Sequence, residues 1–220
     1  MLEGELRPHP GHGAPERTDV EIASRHTRYG SRVDRSFLIL HGWQGSGPGH
    51  WQTWLAARLR GNGEHVAYPD LPDADAPLLS QWLDVLHGEL DSLSGERTVL
   101  CHSLSCVLWL HHVERGGDQA ERVLLVAPPC EREELASFFP APMPHLEGDA
   151  RVVCSDDDPY CPGGAVSRYA EPLGVPAEVL PGAGHVNPDA GFGAWPEVEA
   201  WCVGQRASVA GSGAKNGIEM

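Results

Sequence analysis

No apolar run in the sequence approaches the roughly 20 residues that a bilayer-spanning helix needs. The opening residues, Met1-Leu-Glu-Gly-Glu-Leu-Arg, carry acids and lack the apolar core of a secretory leader. Basic residues are scarce: 16 Lys and Arg stand against 31 Asp and Glu, a formal net charge of −15. A field of that sign repels phosphate backbones and anionic lipid surfaces, which argues against nucleic-acid and membrane partners. The six cysteines include no CxxC pair and no zinc-like spacing, so no metal site is expected. Several lie in apolar runs, where a free thiol acts as a small hydrophobe. The expectation is a reduced, cytoplasmic protein rather than a disulfide-bonded one.

What is present has the profile of an ordinary globular domain, 41% apolar and 21% charged. Residues 1–35 are rich in Pro, Gly, His, Arg and charge, without periodicity, and are expected to form a partly disordered extension. Residues 204–220 are small and polar and read as a disordered tail, which leaves 36–203 as the domain. Within it, apolar runs alternate with helix-like stretches. Strands are expected at 37–40, 65–68, 98–101, 123–127, 151–155 and 178–180. Helices are expected at 50–59, after Ser80 as N-cap, from Leu104 to about Glu114, and around Trp195, Val198 and Trp201. Strands with no polar interruption suit a parallel sheet covered on both faces. The alternation predicts an α/β fold, a doubly wound and mainly parallel sheet of about six strands. Ligands of such sheets bind beyond the carboxyl ends of the strands.

Polar residues at those ends therefore carry the chemistry. Ser103 lies between the third strand and the next helix, the setting of a nucleophile elbow. The usual pattern is Gly-x-Ser-x-Gly; here Cys101 and Ser105 hold the glycine places, and both are small. A serine at this place also reads as an ordinary helix N-cap. A serine nucleophile needs a base, and the base an orienting carboxylate, in the chain order Ser, acid, His. The stretch SDDDPYCP (155–162) supplies Asp158, before a proline, with Asp156 and Asp157 as alternatives or as turn acids. The stretch GAGHVNPDAGFGAWPE (182–197) supplies His185 in a glycine loop that suggests little packing; most other histidines read as surface residues. The glycines of HGWQGSGPGHW (41–51) free backbone N–H groups for an oxyanion hole, from Trp43 or Gln44 together with Leu104. His50 and Trp51 are candidates for the mouth, Trp51 equally for the core. Phe138, Phe139 and Met143 are candidates for an apolar lining, or for packing on the sheet.

These stretches resemble the small α/β-hydrolases of the RBBP9/YdeN serine hydrolase family. HGWQGSGPGHWQTWL is similar to that family's Gly-rich stretch with its following His-Trp, and YPDLPDADAPLLSQWLDVL (68–86) to its Leu-Pro segment. CHSLSC (101–106) resembles its elbow, usually His-Ser-Leu-Gly-Cys, and the Asp and His stretches are close to its acid and histidine loops. The similarity spans Phe37 to Trp201. It implies an α/β-hydrolase fold, a triad of Ser103, Asp158 and His185, and hydrolysis of esters, without a cofactor. The stretch between Ala127 and Ala150 is too short for a large cap domain, so small or medium acyl groups are the expected substrates. Two alternatives stay open: the same triad serving thioester hydrolysis, acyl transfer or cyclisation, and a hydrolase-like scaffold that binds a partner without catalysis.

Overall fold

The computed structural model describes Met1 and residues 34–210. The extension expected over 1–35 lies almost wholly outside the described residues, as do residues 211–220 of the tail expected over 204–220.

Six strands form one sheet in the order β2-β1-β3-β4-β5-β6. They are β1 (Arg35–Leu40), β2 (His65–Ala67), β3 (Glu96–His102), β4 (Arg122–Val126), β5 (Asp149–Ser155) and β6 (Ala177–Leu180). Every neighbouring pair is parallel. The helices are α1 (Trp51–Gly61), α2 (Leu79–Ser92), α3 (Leu104–Glu114), α4 (Glu171–Leu173, continuing a π-type turn over Val166–Ala170) and α5 (Pro196–Cys202). The expected α/β architecture is present, and residues 127–148 contribute a single 3₁₀ segment, Glu133–Phe138, in place of a cap. No helix among the described residues is long and apolar enough to cross a membrane.

Alternation along each strand divides the core in two, because successive side chains leave a strand on opposite faces. Leu38, Leu40, Val99, Cys101, Val123, Leu125, Val152 and Cys154 meet α2, α3 and α4. Phe37, Ile39, Leu100, Leu124, Val126 and Val153 meet α1 and α5, where Trp51 and Trp201 are fully buried. Each such side chain is worth about 1.5–3 kcal/mol in area removed from water. This is why the strands lack polar interruption. The chain moves outward from β1 to β2 through α1, then crosses back past β1 to β3 through α2. With right-handed crossovers this reversal puts α1 and α2 on opposite faces and opens a crevice beyond the ends of β1 and β3.

Two local expectations change. Helix α2 starts at Leu79, with Leu78 in the N-cap place and no side-chain cap. The Leu79 N–H donates instead to Ser137 Oγ at 3.3 Å, so a tertiary partner does what Ser80 was expected to do. Residues 208–210, expected in the loose tail, dock on β6: Val209 is fully buried, and the Ser208 hydroxyl and the Val209 and Ala210 N–H groups donate to Glu178 Oε2.

Candidate active site

Register brings the pieces together. Leu40 pairs with Cys101, so the chain just beyond β1 runs level with the chain just beyond β3. Gly42 thereby lies against Ser103. A β-carbon at Gly42 would stand 2.7 Å from Ser103 Cβ and 2.9 Å from the His102 carbonyl oxygen. Only a residue without a side chain permits this approach. Likewise Ser155 pairs with Leu180, so the loops after β5 and β6 leave the sheet side by side.

Ser103 has φ 56° and ψ −122°, a backbone state that side chains other than glycine rarely adopt. Such strain costs about 1–3 kcal/mol and persists only where surroundings hold it. Here its N–H donates to the Val126 carbonyl at 2.8 Å. Ser105, fully buried in the usual glycine place, adds a second hold. Its hydroxyl accepts the His102 N–H at 2.9 Å and donates to the Leu40 carbonyl at 2.7 Å, joining the ends of β3 and β1. The Gln52 side-chain amide donates to the same Leu40 oxygen at 2.8 Å.

Ser103 occupies the N-cap place of α3 but makes no cap bond. Its Oγ is 2.9 Å from His185 Nε2. His185 Nδ1 lies 3.0 and 2.9 Å from the two oxygens of Asp158. All three side chains are buried. With Nδ1 protonated and bound to the carboxylate, Nε2 presents a lone pair to the serine hydroxyl. The arrangement can take a proton from Oγ and hold the resulting imidazolium.

The neighbouring acids have different partners. Asp156 Oδ1 accepts the Gly182 N–H at 2.8 Å, and Asp157 Oδ1 accepts the Gly184 N–H at 2.7 Å. These two bonds tie the acid loop to the histidine loop, and Asp158 is the carboxylate that reaches the imidazole. Tyr160 N–H donates to Asp158 Oδ1 at 2.9 Å, and the Tyr160 ring packs on His185 with centroids 4.3 Å apart. Arg132 stands over both Tyr160 and Trp43, 5.6 and 5.8 Å from the ring centroids. The expectation that His185 has little packing is corrected: it sits between Tyr160 and His102, the latter at 5.0 Å.

The oxyanion candidates separate. Gln44 N–H donates to the Ala74 carbonyl at 2.9 Å and is committed to the loop. Trp43 N–H and Leu104 N–H have no acceptor among the described residues, and Leu104 is the first residue of α3, where N–H groups lack intrahelical partners. Trp43 Nε1 is anchored on the Asp75 carbonyl at 3.0 Å.

Two expected lining residues, Phe138 and His50, are buried. Phe138 is fully buried and packs edge-on against Trp82, 5.3 Å between centroids, so it offers no surface to a ligand. Phe139 and Met143 are half-buried and pack on the same core. His50 is buried rather than at a mouth; its Nδ1 caps α1 by accepting the Gln52 N–H at 3.2 Å. Trp51 is wholly core.

Two histidines to which the sequence assigned no role prove structural. His102 is buried, and its Nε2–H donates to the His185 carbonyl at 2.9 Å, steadying the histidine loop. His41 is buried too: its Nδ1–H donates to the Gly42 carbonyl and its Nε2 accepts the Leu71 N–H, both at 2.8 Å. Burial holds His102 far below the usual histidine range, and burial with nearby His185 and His41 lowers His50 to about 4. These rings are neutral at pH 7. The signal available in the sequence was position: His41 and His102 directly follow the apolar runs of β1 and β3.

Known proteins share this chain's pattern. A family model for serine hydrolases matches residues 37–202. The YdeN hydrolase of Bacillus subtilis is 26% identical over 178 residues, covering 76% of this chain and 93% of its own. Among solved structures, the B. subtilis ydeN product superposes with a TM-score of 0.64 at 22% identity, covering 78% of this chain and 98% of that one. A YdeN-like hydrolase from Pectobacterium atrosepticum gives 0.67 at 21%, covering 76% and 88%. Est1E from Butyrivibrio proteoclasticus, solved with ferulic acid, gives 0.55 at 13%, covering 79% and 90%, a likeness of fold alone. A six-stranded parallel sheet with this crevice, and a family match over most of its length, make the chain an α/β-hydrolase that belongs to the serine hydrolase family.

Proposed function

We propose that this hydrolase cleaves small or medium carboxylic esters through an acyl-enzyme, with Ser103 as nucleophile, His185 as base and Asp158 as its orienting acid. The observation that carries the reading is the unbroken chain from Ser103 Oγ to His185 Nε2 at 2.9 Å and from His185 Nδ1 to Asp158 at 2.9 Å. His185 removes the hydroxyl proton as Oγ attacks the ester carbonyl. The N–H groups of Trp43 and Leu104 receive the developing oxyanion, and one such donor is worth about 3 kcal/mol in the transition state. His185 then protonates the departing alkoxide. A water deprotonated by the same imidazole attacks the acyl-serine, and the acid product leaves with Ser103 restored. Asp158 holds the tautomer and stabilises the imidazolium throughout. The restriction to modest acyl groups follows from the chain between β4 and β5, which forms a short 3₁₀ segment packed on the core.

The test is labelling with a fluorophosphonate probe, followed by a panel of p-nitrophenyl esters graded by chain length, with amide and thioester counterparts. The expected result is labelling of the wild type, none of Ser103→Ala, and fastest turnover of short and medium esters. Failure of the wild type to label, where a control hydrolase labels, overturns catalysis. Preference for the thioester series overturns the substrate class.

A further inference from the structure

Two of the six thiols behave unlike the rest. Cys101, Cys106, Cys154 and Cys202 are buried in the two apolar cores. Cys161 is buried in the same core as Cys101, Cys106 and Cys154, and Cys130 packs against that core, but these two face each other across two loops, with their sulfurs 2.6 Å apart, and both are free thiols. One backbone hydrogen bond joins the two loops, and a second closes the turn that carries Cys161. Cys130 N–H donates to the Tyr160 carbonyl at 2.9 Å, and Cys161 N–H donates to the Asp158 carbonyl at 3.2 Å. The turn after β4, which carries Cys130, is thus bonded to the segment Asp158–Cys161, which carries the carboxylate against His185 and the ring that packs on it. Cys130 is half-buried and reachable from solvent, while Cys161 is buried.

We propose that Cys130 and Cys161 form a redox-reversible thiol pair, whose disulfide clamps the acid loop to the turn after β4. A low-molecular-weight disulfide such as oxidised glutathione is the oxidant. The Cys130 thiolate attacks one of its sulfurs, releasing one glutathione thiolate and leaving a mixed disulfide on Cys130. Cys161 Sγ then attacks the Cys130 sulfur and expels the second glutathione, which takes up the Cys161 proton. Two protein thiols lose two electrons and one glutathione disulfide gains them. Exposure sets the order: the oxidant reaches Cys130 first and Cys161 resolves. Burial, with Cys130 alongside, raises the Cys161 thiol to about 12, which also disfavours it as the first attacker.

The pair is read without any substrate, so its failure leaves the hydrolase reading untouched, and an inactive protein tests it equally well. The full chain is exposed to oxidised glutathione, quenched in acid, denatured, alkylated with N-ethylmaleimide and digested for mass spectrometry. Four alkylated thiols are expected in place of the six of the reduced chain, together with a peptide linking 130 to 161; dithiothreitol restores all six. Cys161→Ser is expected to stop at a glutathione adduct on Cys130, and Cys130→Ser to acquire no adduct at 161. The melting temperature of the oxidised wild type is expected to exceed that of the reduced form by about 5 °C or more. That difference should vanish in Cys130→Ser, each protein being compared with itself. Six alkylated thiols after oxidation, a stable adduct on wild-type Cys130, or a link between other cysteines overturns the pair. A 130–161 link that leaves the melting temperature unchanged overturns the clamp.

Discussion

Gly42 and Ser103 touch: a β-carbon on the first would stand 2.7 Å from Cβ and 3.3 Å from Oγ of the second. Gly42→Ala must therefore push the elbow or the loop after β1 aside. Displacement of reacting groups by about 1 Å can cost 10²-fold in rate. We expect Gly42→Ala to lower kcat/KM for an ester by about that factor or more, with slower fluorophosphonate labelling. Unchanged kinetics would show that the elbow does not need this close approach.

Asp158→Asn should reduce ester turnover by about 10⁴, because an amide presented to His185 Nδ1 favours the wrong tautomer. Asp157→Asn should cost far less, because its side-chain oxygen can still accept the Gly184 N–H that Asp157 now holds at 2.7 Å. Steady-state kinetics on the two variants checks the assignment, and the reverse ranking would name the other acid.

Ser105→Ala removes the bridge between Leu40 and His102, leaving the buried His102 N–H without its partner at 2.9 Å. An orphaned buried donor costs about 1–3 kcal/mol. The variant should melt several degrees lower, and its ester kcat should fall as the strained Ser103 backbone loses a support. A change in melting temperature with kcat intact would make Ser105 a packing residue only.

Stability should decline as pH falls below about 6.5, through neutral buried histidines. The sign follows from the lowered folded values: above the unfolded value both states are neutral, and below it the unfolded chain takes up protons that the folded chain refuses. His50, lowered to about 4, contributes up to about 1.4 kcal/mol per pH unit across that window. His50→Asn retains an acceptor for the Gln52 N–H but does not titrate. Melting curves at pH 7.5 and pH 5 should show a smaller acid loss in the variant than in the wild type.

The strands were legible because an apolar run with no polar break has few alternatives once both faces must be covered, whereas their order in the sheet was not. Ser103, Asp158 and His185 were legible as candidates because each lies just past such a run. Capping was misjudged at Ser80 because Ser137, remote in sequence, accepts the Leu79 N–H with its hydroxyl oxygen. Phe138 and His50 were misplaced for a related reason: neither type of side chain declares which neighbour will cover it. Trp82 packs over Phe138 in the core, and α1 uses His50 as its cap.

By itself, the sequence determined an alternating α/β chain, its parallel sheet and the set of residues from which a hydrolytic site is drawn, since periodicity and turn chemistry are local. Tertiary structure alone decided how Asp156 and Asp157 bind the histidine loop beside Asp158, and which backbone N–H stays uncommitted. It also decided that Ser105 ties two strand ends and that Cys130 meets Cys161. Each of these depends on strand register and on hydrogen bonds between segments far apart along the chain, and distance along the chain says nothing about distance in space.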